Sequence, residues 1–121
     1  NRIKFNGLVN RNDIIKYFEI ADCLLIHIAK YFSLTSVIPT KLFEYVSTPL
    51  PILHGSSGFT KDFINKVNGT INFEPGNSLG LIKSYIKSQK IKINLKKRQV
   101  FLDQYNSKRI YKKYVNYLLK D

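Results

Sequence analysis

The 121-residue sequence contains no methionine, a single cysteine, two histidines and only eight acidic residues. It also lacks any long apolar run. Each shortage closes off a class of chemistry. The lone cysteine, Cys23, has no partner for an intramolecular disulfide or a thiolate metal site, and its place in an apolar run makes it a packing residue. The two histidines stand 27 residues apart, no His- or Cys-rich cluster occurs and no Asp-x-Asp motif appears, so metal-independent chemistry is expected. Even the stretch DCLLIHIA breaks within eight residues, far short of the roughly 18 that a spanning helix requires. No charged-then-apolar leader opens the chain, and a cytoplasmic protein is the simplest reading. Without methionine, and opening on Asn1 just before an apolar stretch, the chain reads as an excised or processed piece. The remainder would hold half of any active site.

What is present is a soluble-type composition, 44% hydrophobic, in a length that suits one domain. The formal charge of +12 is unevenly placed. Residues 1–82 carry eight Lys and Arg against six Asp and Glu, whereas residues 83–121 carry twelve against two. The basicity belongs to the tail. Such a block attracts polyanions or an anionic membrane face, although a lysine-rich helix also serves as a plain solvated face.

Hydrophobic patterning sets the order of elements. Residues 2–5 read as a short strand closed by Asn6-Gly7. Residues 13–21 read as a helix capped by Asn12, with Ile14, Ile15 and Phe18 on its inner face. Residues 23–28 form a continuous apolar run, the pattern of a strand buried on both faces of a parallel sheet. A polar loop over 29–37 leads to a helix opened by Pro39. A third strand at 51–54, the HGSSG turn, a helix at 59–67, the Asn68-Gly69 turn and a fourth strand at 70–73 follow. HGSSG lacks the Walker and Gly-x-Gly-x-x-Gly patterns and reads as a strand-to-helix turn. Alternation of this kind predicts an α/β fold, a Rossmann-like parallel sheet flanked by helices. After Gly76 the pattern turns helical, at 78–88 with Leu79, Leu81, Ile82, Tyr85 and Ile86, then near 93–104 and 107–120. The last stretch carries an apolar stripe of Ile110, Tyr111, Tyr114, Tyr117 and Leu118. We read residues 1–121 as a single domain, an alternating β/α part at 1–76 followed by a basic helical tail at 77–121.

The most informative stretch is IPTKLFEY, residues 38–45. Pro39 suits a first helical position, and Thr40 and Lys41 then lie among the unsatisfied amide donors of the first turn, where anions are attracted. At about 100° per residue Thr40, Lys41, Glu44 and Ser47 share one polar arc, opposite Leu42, Phe43, Tyr45 and Val46. Lys41 and Glu44 can reach the same ligand. The plainer alternative is an i, i+3 ion pair on a solvated face. His27 lies near the carboxyl end of a buried strand, where ligands gather in open parallel sheets, and no alternation assigns its face.

Four blocks in order, IKFNGLV, ADCLLIHI, IPTKLFEYVSTPLPIL and NGTINFEPGN, span residues 3–77. In them the sequence resembles the carboxy-terminal, donor-binding domain of GT-B glycosyltransferases, especially the family 4-like bacterial enzymes of capsule, lipopolysaccharide and exopolysaccharide synthesis. The resemblance implies a nucleotide-sugar donor, with its diphosphate held by Thr40 and Lys41 and its ribose by Glu44. It places Gly7, Leu8 and Val9 near the nucleobase. It also implies an amino-terminal acceptor-binding domain, no cofactor beyond the donor substrate, and no metal. Many family members carry a second glutamate eight positions before the ribose-binding one. Here that position is Ser36, so Ser36 and His27 become the candidates for contact with the donor sugar. Pro49 replaces a frequent glycine after the helix. The catalytic groups are expected in the missing amino-terminal part, and this fragment alone is expected to be inactive. The basic tail would hold the enzyme peripherally on the inner face of the plasma membrane.

Two other readings stay open. Tyr105, Tyr111, Tyr114 and Tyr117 interleave with Lys108, Arg109, Lys112 and Lys113, a pattern that can stack bases and neutralise phosphates in a nucleic-acid-binding module. Their helical spacing, that of a packing stripe, argues for no nucleic-acid partner. A non-catalytic nucleotide-binding domain is the other.

Overall fold

The computed structural model describes residues 2–119, apart from the side chains of residues 114 and 118. Its elements run α1 (Arg11–Ile20), β1 (Leu24–His27), α2 (Lys41–Val46), β2 (Ile52–Gly55), α3 (Gly58–Ile64) and β3 (Thr70–Phe73), then α4 (Ser78–Ser88), α5 (Leu95–Gln104) and α6 (Ser107–Leu118). A single 3-10 turn, Phe32–Leu34, interrupts the loop before α2. The three strands are parallel in the order β1-β2-β3, with Leu24 beside Ile52 and Ile52 beside Thr70. This is an α/β, Rossmann-like sheet flanked by helices.

The register decides which side chains share a face, because successive residues of a strand point to opposite sides. Leu24, Ile26, Ile52, His54, Thr70 and Asn72 form one face. Against it pack Leu42 and Val46 of α2, Phe63 and Ile64 of α3, and Phe101 of α5, which together with Ile26, Ile52 and Val67 make the core. An aromatic group ties α5 to this layer: Phe101 and Tyr105 pack on Phe63 and Phe43 at ring separations of 5.3–6.4 Å. The other face presents Leu25, His27, Leu53, Gly55, Ile71 and Phe73. Here α4 lies over β2 and β3 and leaves β1 uncovered, so Leu25 is 44% exposed.

Three expectations need correction, and the packing of α4 adds a finding that spacing did not address. Residues 2–5 do not form a strand: Ile3 and Phe5 are exposed, and no strand lies beside them. Two alternating apolar residues cannot hold an extended segment without a partner for its peptide groups. Next, α1 buries none of its residues fully; Ile14 and Phe18 are half-buried, the latter edge-on to Tyr45, while Ile15 faces outward. In α4 the buried residues are Ser84 and Ser88 and Leu81 is half-buried beside Leu25, His27 and Phe73, whereas Leu79, Ile82 and Ile86 are exposed. Small side chains let that helix approach closely, and Ser88 satisfies its hydroxyl on the Tyr85 carbonyl at 2.6 Å. Lastly, the stripe on α6 is not packed, since Ile110, Tyr111 and Tyr117 are exposed; Tyr114 and Leu118 have side chains outside the described ones.

Two buried polar groups hold the layers in place. His54, fully buried, places Nδ1 2.7 Å from Ser56 Oγ and Nε2 3.0 Å from Asn65 Oδ1, while Asn72 donates to the carbonyls of His54 and Ser56. Arg98, 1% exposed, donates from Nε to the Asn68 carbonyl and from Nη1 to the Thr48 carbonyl. It thereby joins α5 to the turns entering β2 and β3. Burial lowers the guanidinium pKa to about 10, so it stays charged at neutral pH, and its Nη2 has no hydrogen-bond partner.

Acid is expected to loosen this packing. Burial, opposed by the Asn65 bond and helped by Lys61, lowers the His54 pKa from 6.5 to about 4. The unfolded chain therefore takes up a proton before the folded one does. Stability is full above pH 6.5 and falls as pH drops towards about 4, by on the order of 3 kcal/mol from this group. Urea midpoints across that range should show the slope, and His54→Gln should flatten it. Arg98→Ala strands two buried carbonyls and opens a cavity, and is expected to lower unfolding free energy by about 3 kcal/mol in the same measurement.

Candidate functional site

The polar arc on α2 forms as the spacing predicts. Thr40, Lys41, Glu44 and Ser47 are exposed, Leu42 and Val46 buried, and Phe43 and Tyr45 half-buried. The helix itself begins at Lys41 rather than Pro39, because the first turn is tight: the Pro39 and Thr40 carbonyls accept from Leu42 and Phe43, at 3.0 and 3.1 Å. The amides of Thr40 and Lys41 have no acceptor within the described residues, and the Thr40 hydroxyl makes no capping bond. Both amides sit beyond the carboxyl end of β1, at the end of the sheet where ligands of open parallel sheets bind.

Glu44 is not paired with Lys41. Among the described residues the salt bridges are Lys16–Asp13 and Lys30–Glu74, each at 2.8 Å. The ion-pair alternative for this helix is thus absent. Glu44 and Ser47 instead line a groove of about 240 Å³ between α2 and α1, whose other wall is Arg11, Asn12, Ile14, Ile15 and Phe18. Ser47 donates its hydroxyl to the Glu44 carbonyl at 2.6 Å, which leaves the carboxylate untouched. Tyr45, on the covered side, has its phenol pKa raised by burial and then by the Glu44 charge. A groove lined by the Glu44 carboxylate, the Arg11 guanidinium and an apolar wall of Ile14, Ile15 and Phe18 can accept a hydroxyl-bearing, flat-sided ligand; Lys41 is not part of its lining.

The remaining candidates are spread more widely. Leu8 and Val9 line a separate cleft of about 430 Å³ on the other side of α1, with Asn10, Asp13, Lys16, Tyr17 and Ile20. Gly7 precedes it with φ of 65° and open space around its Cα, so a backbone approach there is free. The body of α1 lies between this cleft and the Glu44 groove, so the structure does not bring Gly7, Leu8 and Val9 together with Glu44. Ser36 is exposed in the loop before α2 and engages no described partner. His27 belongs to the opposite face of the sheet from α2. Its ring stacks on Phe73 at 6.0 Å and its Nε2 accepts from the Gly76 amide at 3.2 Å. Gly55 lies between the two rings, where a Cβ would stand 2.6 Å from His27 and 2.7 Å from Phe73. His27 therefore does not join Lys41 and Glu44.

HGSSG positions the site without contacting it. Gly58 has φ of 59°, and a Cβ there would meet Thr35 at 2.9 Å. Thr60, two residues on, donates its amide to the Thr35 carbonyl at 2.9 Å and its hydroxyl to the Val37 carbonyl at 2.8 Å. These bonds anchor the loop that delivers Ser36, Pro39 and Thr40. Sequence reading did not find this role, because the partners are 23 to 26 residues apart and no periodicity links them. It also missed a polar cleft of about 360 Å³ at the strand ends, lined by Lys30, Ser56, Ser57, Lys61, Asn72 and Glu74 among others. Lys30 hydrogen-bonds Glu74 across it, which holds the lysine above and the carboxyl below its ordinary pKa.

Among the described residues no group of three or more His, Cys, Asp and Glu gathers to hold a metal ion, and no helix is long and apolar enough to cross a membrane. Cys23 is half-buried, and burial followed by the Asp22 charge raises its thiol pKa, which keeps it protonated and unreactive. No family model matches the chain, and no curated protein or solved structure matches it significantly.

The anchoring role of Gly58 predicts a measurable cost. Gly58→Ala must strain a left-handed backbone and displace Thr35, and should lower stability by about 2 kcal/mol. Limited proteolysis within residues 32–37 should quicken in the same variant. Unchanged stability and cleavage would mean that the loop is held elsewhere.

Proposed function

We propose that this chain is the donor-binding part of a glycosyltransferase of the GT-B architecture, related to the family 4-like bacterial enzymes. It would transfer a sugar from a nucleotide-diphosphate donor to a lipid-linked or saccharide acceptor in cell-surface polysaccharide synthesis. The observation that supports this reading is the Glu44 carboxylate, without a salt-bridge partner among the described residues and lining a groove between α1 and α2, on the same exposed arc of α2 as Lys41, whose amide and that of Thr40 have no acceptor among the described residues.

In this reading the Thr40 and Lys41 amides, the Thr40 hydroxyl and the Lys41 ammonium receive the diphosphate. Glu44 accepts from the ribose diol, and the backbone at Gly7, Leu8 and Val9, which lines a cleft on the other face of α1, is assigned to the base by the resemblance alone. As the sugar departs, charge grows on the leaving diphosphate, and a fixed cation with oriented amides stabilises that charge more than it stabilises the ground state. Ser36, on the loop held by Thr60, is the candidate contact for the sugar. No metal or further cofactor is required. The partners are the nucleotide sugar, an amino-terminal acceptor-binding domain that supplies the remaining catalytic groups, and an anionic membrane face on the cytoplasmic side.

Calorimetric titration with UDP, GDP and ADP tests the site, on a chain that also carries the amino-terminal domain this reading requires. One nucleotide should bind, and Glu44→Ala and Lys41→Ala should each weaken it by roughly tenfold or more, the range for hydrogen bonds to charged groups. Unchanged affinity in both variants would remove the site. Oligonucleotide binding with a steep salt slope, and no nucleotide binding, would favour the nucleic-acid module instead.

A further inference from the structure

The α6 helix divides its surface sharply. At about 100° per residue, Ile110, Tyr111, Val115 and Tyr117 fall on one arc, and Lys108, Arg109, Lys112, Lys113 and Asn116 fall on the other. The second arc holds four cations and no acidic residue. Among the described side chains of the first arc, Ile110 is 47%, Tyr111 70% and Tyr117 76% exposed and Val115 is half-buried; Tyr114 and Leu118, which share that arc, have side chains outside the described ones. Three exposed apolar side chains along one strip call for a cover.

We infer that α6 is an interfacial helix that lies on an anionic lipid surface, with Ile110, Tyr111 and Tyr117 entering the headgroup layer and the flanking cations pairing with lipid phosphates. Charge complementarity selects this occupant. A cationic arc without a carboxylate matches an anionic surface, and tyrosine, apolar in its ring and polar at its tip, suits the boundary between headgroups and acyl chains. Segregation of the two arcs argues against nucleic acid, because base stacking and phosphate contact need aromatics and cations on the same side. A helix that binds lipid needs them on opposite flanks.

The placement of α6 gives the contact a use. Tyr105, just before the helix, packs on Phe43 at 5.8 Å, and Phe43 belongs to the helix that carries Lys41 and Glu44. Lipid contact through α6 would therefore hold the donor groove beside the surface that bears a lipid-linked acceptor. That use rests on the function proposed above; the lipid contact does not, since it needs no nucleotide.

Sedimentation with vesicles separates the two. The chain should pellet with phosphatidylglycerol–phosphatidylcholine vesicles at low salt and stay in solution with phosphatidylcholine alone. Lys112→Glu with Lys113→Glu should weaken binding about tenfold or more, as the loss of surface-adjacent cations predicts. Tyr111→Ser with Tyr117→Ser should weaken it by a similar factor, whereas Lys83→Glu with Lys87→Glu, an equal charge change on α4, should have a small effect. Circular dichroism would confirm that each variant keeps its fold. The inference fails if anionic vesicles are not preferred, if the α4 pair matters as much as the α6 pair, or if the tyrosine pair changes nothing. It also fails if the tyrosine pair abolishes a dimer that forms without lipid, or if oligonucleotides outcompete vesicles through α6. Vesicle binding with no nucleotide binding would retain the helix assignment and discard the donor site.

Discussion

β2 is buried along its whole length, and so every peptide group it carries must be satisfied inside the protein. Its neighbours β1 and β3 do this by parallel pairing, which in turn obliges the chain to return from the end of each strand to the start of the next. That return is made by α2 and by α3. The site region is a by-product of this obligation: a parallel strand order sends the start of each returning helix to the same end of the sheet, and α2 brings Thr40, Lys41 and Glu44 there.

A sheet with only three strands has little area to hold so many connections, and polar groups supply what apolar contact does not. Arg98 joins the turns before β2 and β3 to α5, and does so without an acidic partner. Arginine is suited to this because its fork reaches two carbonyls at once, whereas lysine is a point charge. At the opposite end, Thr60 and Gly58 pin the loop ahead of α2, and His54, Ser56, Asn65 and Asn72 lock the end of β2 to α3 and β3. Each end of the sheet thus has its own polar clamp. The candidate groove lies next to one of them, on a helix too short to be stable alone.

Several features were legible in the residues. The apolar run at 23–28 and the Asn68-Gly69 turn marked β1 and the start of β3, the periodic pattern after Gly76 marked α4, and the polar arc of IPTKLFEY appeared on the expected side of α2. Reading failed where a local pattern had no tertiary partner. Ile3 and Phe5 alternate as a strand does, yet nothing pairs with them. Leu79, Ile82 and Ile86 repeat as a packing face does, yet Ser84 and Ser88 lie closer to the sheet. Tyr111 and Tyr117 read as a stripe for the core and are on the surface.

The sequence alone determined the alternation of elements, the uneven charge and the residue types on the polar arc, since these depend on spacing and chain chemistry along a few turns. Tertiary structure decided which residues meet. Among the described residues it left Glu44 without an ion-pair partner in a groove with α1, turned His27 to the far face beside Phe73, gave Gly58 a neighbour in Thr35 and left Ile110, Tyr111 and Tyr117 of α6 exposed. Such contacts join residues far apart in the chain, where burial, register and the need to satisfy each polar group select one arrangement that no local period encodes.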